Sequence, residues 1–283
     1  MSLTEIARIK EMTQQWLTFP IIDEIALQIG PLAIRWYAIA YLAGIFIAML
    51  LMNREAKKNY TSFEIEDVAK LTNNCVIGII IGGRLGFVLF YNLDFYLSAP
   101  LEILKIWNGG MSFHGGFAGV VAATFITVRK TDIPLFDLAD LLACVAPIGL
   151  FFGRIANFVN GELFGRVTNH PIGIVFPQGG PLPRHPSQIY EALLEGLLLF
   201  IILNVVRKFV RRVPSGLLTG LFFLLYGLAR IAVEFVREPD KNIGFIVSLG
   251  AIEISMGQLL SFPLIIIGCF LTYLSSKRKF DPR

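Results

Sequence analysis

GRIANFVNGELFGR, residues 153–166, follows directly on an apolar run from Leu141 to Phe152 and carries Arg154, Asn157, Asn160, Glu162 and Arg166. A hydrophobic helix holds such residues only where something polar must be met beside lipid. An arginine at bilayer depth costs roughly 2.5–3.5 kcal/mol on insertion scales and marks a functional site by default. The rest of the chain has to supply what faces Arg154 and Asn157.

The surroundings of this stretch are those of an integral membrane protein. The 283 residues are 55% hydrophobic, include 24 Phe and have a mean hydropathy of +0.65, beyond the range of ordinary soluble domains. A net charge of +4 is too small to suggest a nucleic-acid partner, and none is expected. Cys75, Cys144 and Cys269 each stand in an apolar segment with no C-x-x-C and no neighbouring histidine. They read as small buried hydrophobes, without disulfide or zinc. Residues 1–30 show no apolar segment ahead of a small-residue cleavage site, so they are expected to form an interfacial arm with no signal peptide.

Runs of about 20 apolar residues fall at roughly 32–52, 71–92, 111–128, 138–160, 188–206, 216–236 and 256–275. The predicted fold is therefore an all-α membrane protein of seven transmembrane helices, one membrane domain over 1–283, with a small outer loop region centred on 161–187. Alternate loops differ in charge. One set holds Arg54, Lys57, Lys58, Lys70, Arg129, Lys130, Arg207, Lys208, Arg211, Arg212, Lys277, Arg278, Lys279 and Arg283; the other holds Arg8, Lys10, Arg35, Lys105, Arg166, Arg184, Arg237 and Lys241. Fourteen against eight puts the first set in the cytoplasm, the amino terminus outside and the carboxyl terminus inside.

Arg84, Arg154 and Arg230 then lie within spans, at related depths toward the outer face. Left unpaired, they would cost on the order of 8–10 kcal/mol together, a large share of a protein's net stability. Tyr226, Arg230, Glu234 and Arg237 recur at spacings of four, four and three, a polar stripe on one helical face. An internal Arg230–Glu234 ion pair explains part of that stripe, but one glutamate cannot satisfy every nearby arginine. Gly78, Gly82 and Gly86, with Gly115 and Gly119, give two helices small-residue faces for close approach. His114, in SFHGG, is the one histidine placed at membrane depth, and a neutral imidazole there is either a structural hydrogen-bonding group or a base for a thiol or hydroxyl. In HPSQIYE, Pro186 and Ser187 start a helix, while Glu191 one turn later is less expected. There is no G-x-S-x-G, Walker loop, H-E-x-x-H or acidic metal motif. What remains is an arginine-rich intramembrane site, and arginine matches phosphate in a bidentate fork, so an anionic phospholipid headgroup is the natural ligand.

GRIANFVNGELFGR closely resembles the signature of bacterial phosphatidylglycerol–prolipoprotein diacylglyceryl transferases. The resemblance extends to SFHGG around His114, GGRLGFVLFYN (82–92), RHPSQIYEALLEG (184–196) and YGLARIAVEFVREPD (226–240), and covers most of the chain from Trp36 to Asp240. It implies a seven-helix enzyme of the bacterial plasma membrane. Such an enzyme moves the diacylglyceryl group of phosphatidylglycerol to the lipobox cysteine thiol of a prolipoprotein signal peptide, forming a thioether and releasing glycerol 1-phosphate, with no metal and no organic cofactor. By the same resemblance Arg154 and Asn157 hold the headgroup with Arg84, and Arg230 stands beside the reacting phosphate. His114 is the candidate base, and Glu162, Tyr226, Glu234 and Arg166 position the substrates or the arginines. On the residues alone, a transporter or flippase of an anionic lipid competes with this reading. Seven spans without an internal repeat weigh against the duplicated architecture of transporters.

Overall fold

The computed structural model describes residues 16–20, 22–30, 32–58, 63–210, 213–239, 245–249 and 252–277. The first half of the expected arm lies outside them, as do Arg8, Lys10, Arg211, Arg212, Asp240, Lys241, Arg278, Lys279 and Arg283.

Every predicted span is a helix. In chain order these are α1 (Trp36–Ala56), α2 (Ile65–Tyr91), then the short α3 (Leu93–Ser98), α4 (Phe113–Val128), α5 (Leu135–Val159), α6 (Ser187–Phe209), α7 (Leu217–Glu234) and α8 (Met256–Lys277). Six of them, all but α3 and α4, are long and apolar enough to cross a membrane; α4 is apolar but has 16 residues. At 1.5 Å per residue it is about 24 Å long, against a hydrocarbon core of about 30 Å. The start of α2 comes earlier than its apolar run suggests. Glu64 and Asp67 form a reciprocal capping box there, which stabilises a polar first turn ahead of the lipid-facing stretch. Cys75 and Cys144 are buried free thiols, but Cys269 is exposed. The expectation of burial fails for Cys269 because it stands on the outward, apolar face of α8, where lipid replaces protein as the apolar medium.

The strands were not anticipated. β1 (Leu17–Thr18) pairs in parallel with β4 (Ile174–Val175), while β2 (Ile25–Ile29) with β3 (Leu32–Arg35), and β5 (Phe245–Leu249) with β6 (Ile252–Ser255), form antiparallel hairpins. Each hairpin runs straight into a long helix, β3 into α1 and β6 into α8. The described part of the arm thus holds β1 and the first strand of a hairpin, which turns at Gly30 with φ 58°, a conformation glycine adopts without a Cβ penalty.

The chain divides into two compact units, Met49–Leu142 and Met1–Ala48 with Ala143–Arg283. In the first, α2 packs on α4 through the predicted glycine faces: a Cβ at Gly78 would meet the Gly119 carbonyl, one at Gly82 the Gly115 carbonyl, and one at Gly86 the Gly115 Cα. No side chain larger than hydrogen fits between the two backbones at these points. In the second unit α7 and α8 approach in the same way at Gly220 and Gly268. Leu199, Leu203, Leu218 and Cys144 form a buried apolar cluster there, with Tyr226 and Phe222 packed against it.

Candidate active site

Within the larger unit, three helices bring charged residues together near one end. Arg154 lies five residues before the end of α5 and Arg230 four before the end of α7, while Glu191 and Glu195 follow the start of α6. At 1.5 Å per residue all four lie within about 6–12 Å of their helix ends.

Their side chains form a ring of ion pairs. Arg154 Nε is 2.6 Å from Glu191 Oε2, and its Nη2 is 3.7 Å from Glu195 Oε2. Arg230 reaches the same Glu191 oxygen at 3.3 Å, Glu195 Oε1 at 3.6 Å and Glu234 Oε1 at 2.5 Å. Arg237 adds contacts to Glu191 at 3.6 Å and to Glu234 at 3.4 Å. Ser255 donates a 2.6 Å hydrogen bond to Glu234 Oε2. All three carboxylates are almost completely buried. The predicted Arg230–Glu234 pair is present, and Glu191 and Glu195 supply the further acids that one glutamate could not replace. Removing either partner from such a buried pair is costly, because the other is left charged and unsolvated.

Asn157 and Glu162 form a second polar group joined to Tyr37 of α1. The Tyr37 hydroxyl donates to Glu162 Oε1, and Asn157 Nδ2 donates both to the Tyr37 oxygen and to Glu162 Oε1, the latter at 3.0 Å. The backbone after α5 is held in an uncommon conformation: Leu163 has φ 56°, in the left-handed region that non-glycine residues rarely occupy. Two side chains at the start of α6 fasten it. Gln188 Nε2 donates to the Glu162 carbonyl at 2.5 Å, and Ser187 Oγ to the Leu163 carbonyl at 3.0 Å. Arg166 Nε then donates to the Arg237 carbonyl at 3.0 Å, tying this loop to the segment that follows α7.

Arg84 and His114 belong to the smaller unit. Arg84 is buried and directs its guanidinium at five backbone carbonyls, those of Glu102, Ile103, Lys105, Gly109 and Gly110, with Tyr96 against its face. These carbonyls lie in and between two short 3-10 turns, Pro100–Leu104 and Ile106–Asn108, and just after the second, and backbone outside regular helix at membrane depth needs such partners. His114 is in the first turn of α4, which Ser112 caps by accepting from the Gly115 N–H at 3.3 Å. Its ring is exposed and touches the Phe113 ring edge-on.

The sequence model of the prolipoprotein diacylglyceryl transferase family matches residues 24–274. Similar proteins named phosphatidylglycerol–prolipoprotein diacylglyceryl transferase occur in several bacteria. One from Vibrio cholerae is 49% identical over 267 residues, covering 94% of this chain and 96% of the relative. One from Geobacter sulfurreducens is 47% identical over 266 residues, 94% of this chain and all of the relative, and one from Vibrio campbellii is 48% identical over 267 residues, 94% and 96%. The chain belongs to this family.

As a prolipoprotein diacylglyceryl transferase family member it is a multi-pass membrane enzyme, and its charged ring includes residues the sequence reading passed over. Glu195 and Tyr37 were not singled out, Arg237 was read only as part of the polar stripe with Tyr226, Arg230 and Glu234, and Gln188 as part of a helix start. The available signal was the pair Glu191 and Glu195 at four-residue spacing inside an apolar helix, a costly arrangement unless cations face it. Tyr37 offered none, because a tyrosine near the start of a membrane helix is ordinary interfacial composition. The α6 turn that carries Glu195, Ala192–Leu198, is π-helical, a widening often found at functional sites. In the outer loop, His185 contacts the Tyr190 hydroxyl at 3.2 Å, and partial burial together with the nearby His170 lowers its pKa below the usual 6.5.

Proposed function

We propose that this protein transfers the diacylglyceryl group of phosphatidylglycerol to the lipobox cysteine thiol of a prolipoprotein signal peptide. The product is a thioether, and glycerol 1-phosphate leaves. The observation that carries the reading beyond family membership is the meeting of Arg154 and Arg230, from two helices, at a single carboxylate oxygen of Glu191. Two guanidinium groups converging in a buried site can receive one phosphate between them, and fixed cations there stabilise the charge that develops as the phosphate departs.

In this reading Arg154 and Asn157 take the headgroup, and Arg230 faces the phosphate oxygen that leaves the glycerol carbon. Glu162 fixes Asn157, Glu234 fixes Arg230, Arg166 ties the loop, and Tyr226 packs beside Arg230 on the same helix. His114 is the proton acceptor for the thiol, its exposed ring being free to meet a substrate. Arg84 supports the phospholipid side by holding the 102–110 backbone. All seven apolar helices, α4 included, cross the bacterial inner membrane, with the amino terminus outside. The family match runs through both units, which supports one working domain.

Purified protein incubated with phosphatidylglycerol and a lipobox peptide should yield a lipidated cysteine and free glycerol phosphate in equal amounts. Movement of lipid between leaflets without either product would replace the transferase by a flippase.

A further inference from the structure

The three acids of the ring are not held alike. Glu234 has Arg230 at 2.5 Å and a hydrogen bond from Ser255 at 2.6 Å. Glu191 has Arg154 at 2.6 Å and Arg230 at 3.3 Å. Glu195 has its nearest cationic nitrogens at 3.6 and 3.7 Å, beyond hydrogen-bond length; its two buried oxygens lack a hydrogen bond, as do both oxygens of Glu191, so the length of the ion pairs is what sets Glu195 apart. Arg230 Nη1, which faces it, also lacks one. The charged and titratable groups around Glu195 are Arg154 from α5, Glu191 on its own helix, and Tyr226 and Arg230 from α7.

Among the described residues the ring joins three arginines to three glutamates, so that each cation there has a carboxylate beside it. A phosphodiester anion that enters between Arg154 and Arg230 competes for the N–H groups facing Glu195 and adds one negative charge. A buried carboxylate stripped of its cations is far more costly than a buried carboxylic acid. The acid with the longest ion pairs, Glu195, is the one that gives way.

Resting on the transferase reading of this site, we propose that Glu195 is a displaceable counter-ion: it neutralises Arg154 and Arg230 in the empty site and takes up a proton from solvent when the lipid phosphate claims them. The carboxylate becomes a carboxylic acid, no bond of the lipid changes in this step, and the proton returns to solvent when the phosphate product leaves. Glu195 is thus a positioning residue that acts through the two arginines, separate from the group that deprotonates the thiol.

The test is calorimetric titration of the full chain in detergent with dihexanoyl phosphatidylglycerol, whose phosphodiester does not titrate near neutral pH, in buffers of different ionisation heat. The wild-type protein should take up about one proton per lipid, and its Kd should weaken with rising pH by up to about tenfold per unit. Glu195→Gln should bind without proton uptake and with a pH-independent Kd, while Glu195→Asp should keep the uptake. Infrared difference spectra should show a carboxylic-acid C=O band appearing in the wild type on lipid addition and moved in Glu195→Asp, a readout that holds if the Gln variant fails to fold. No uptake by the wild type, persistent uptake in Glu195→Gln, or no such band would overturn the proposal. Lipid binding with proton uptake but no transfer to peptide would overturn the function and leave the counter-ion. Transfer without uptake would do the reverse, and absence of lipid binding would overturn both.

Discussion

Arg230 uses separate nitrogens on opposite sides: Nη1 faces Glu191 and Glu195 on α6, and Nη2 faces Glu234 on its own helix. A lysine keeps the charge but has one nitrogen and no fork, so it cannot hold both sides and still present a donor to phosphate. We expect Arg230→Lys to lower kcat by about 100-fold or more, the loss typical when one preorganised donor to a developing anion is removed. KM should move less than kcat. Steady-state transfer to a lipobox peptide measures both, and near-normal turnover would remove Arg230 from the phosphate role. At this scale the sequence was informative where a residue was chemically out of place. Arg154, Arg230 and Glu234 stood out as charges in apolar helices, and the structure joins them. The partners Glu191 and Glu195 were harder to assign because i,i+4 spacing puts both on one face of α6 but does not say which helix faces it.

A close backbone approach beside the ring is that between α5 and α6. A Cβ at Gly196 would sit 2.7 Å from the Phe151 Cβ and 2.8 Å from its Cα, and a backbone atom cannot swing aside as a side chain can. Arg154 is less than one turn beyond Phe151, and Glu195 adjoins Gly196. The glycine therefore sets the helix separation at which Arg154 spans to α6. Gly196→Val should force the helices apart, destabilise the protein by about 1–3 kcal/mol through overpacking and reduce transfer by lengthening the Arg154–Glu191 pair. Thermal unfolding in detergent and the transfer assay together would show it; a fully stable and fully active variant would show that the contact is not limiting. The predicted α2–α4 glycine faces were readable because small residues recur at helical spacing. Gly196 is the one glycine of its helix, with only Ala192 four residues before it, too short a pattern to mark a face.

Across the whole molecule, topology turns on α4, whose 16 residues are short for a bilayer. In a Cys75→Ala, Cys144→Ala, Cys269→Ala background, single cysteines at Asn108→Cys, Lys130→Cys and Asn169→Cys can be probed with a membrane-impermeant maleimide. We expect labelling of positions 108 and 169 from outside in spheroplasts, and of position 130 only after lysis. Labelling of 108 and 130 from the same side would mean that α4 does not span, and a reversal at all three would invert the orientation. A short helix can cross where the bilayer thins or flanking residues reach the interface. The charge asymmetry of the loops supports the same topology independently.

The sequence by itself determined the membrane class, the positions of the seven apolar helices and the family. Hydrophobic run length, positive-charge bias and a long polar signature are local properties that need no knowledge of neighbours. It did not determine the hairpins that lead into α1 and α8, because a strand pair of four or five residues has too short a period to stand out beside helices of twenty. Nor did it determine which acids face Arg154 and Arg230, what Arg84 holds, or that Leu163 sits in a left-handed turn fastened by Ser187 and Gln188. Those depend on contacts between residues distant in the chain, and the cost of burying charge selects them only after the helices have packed.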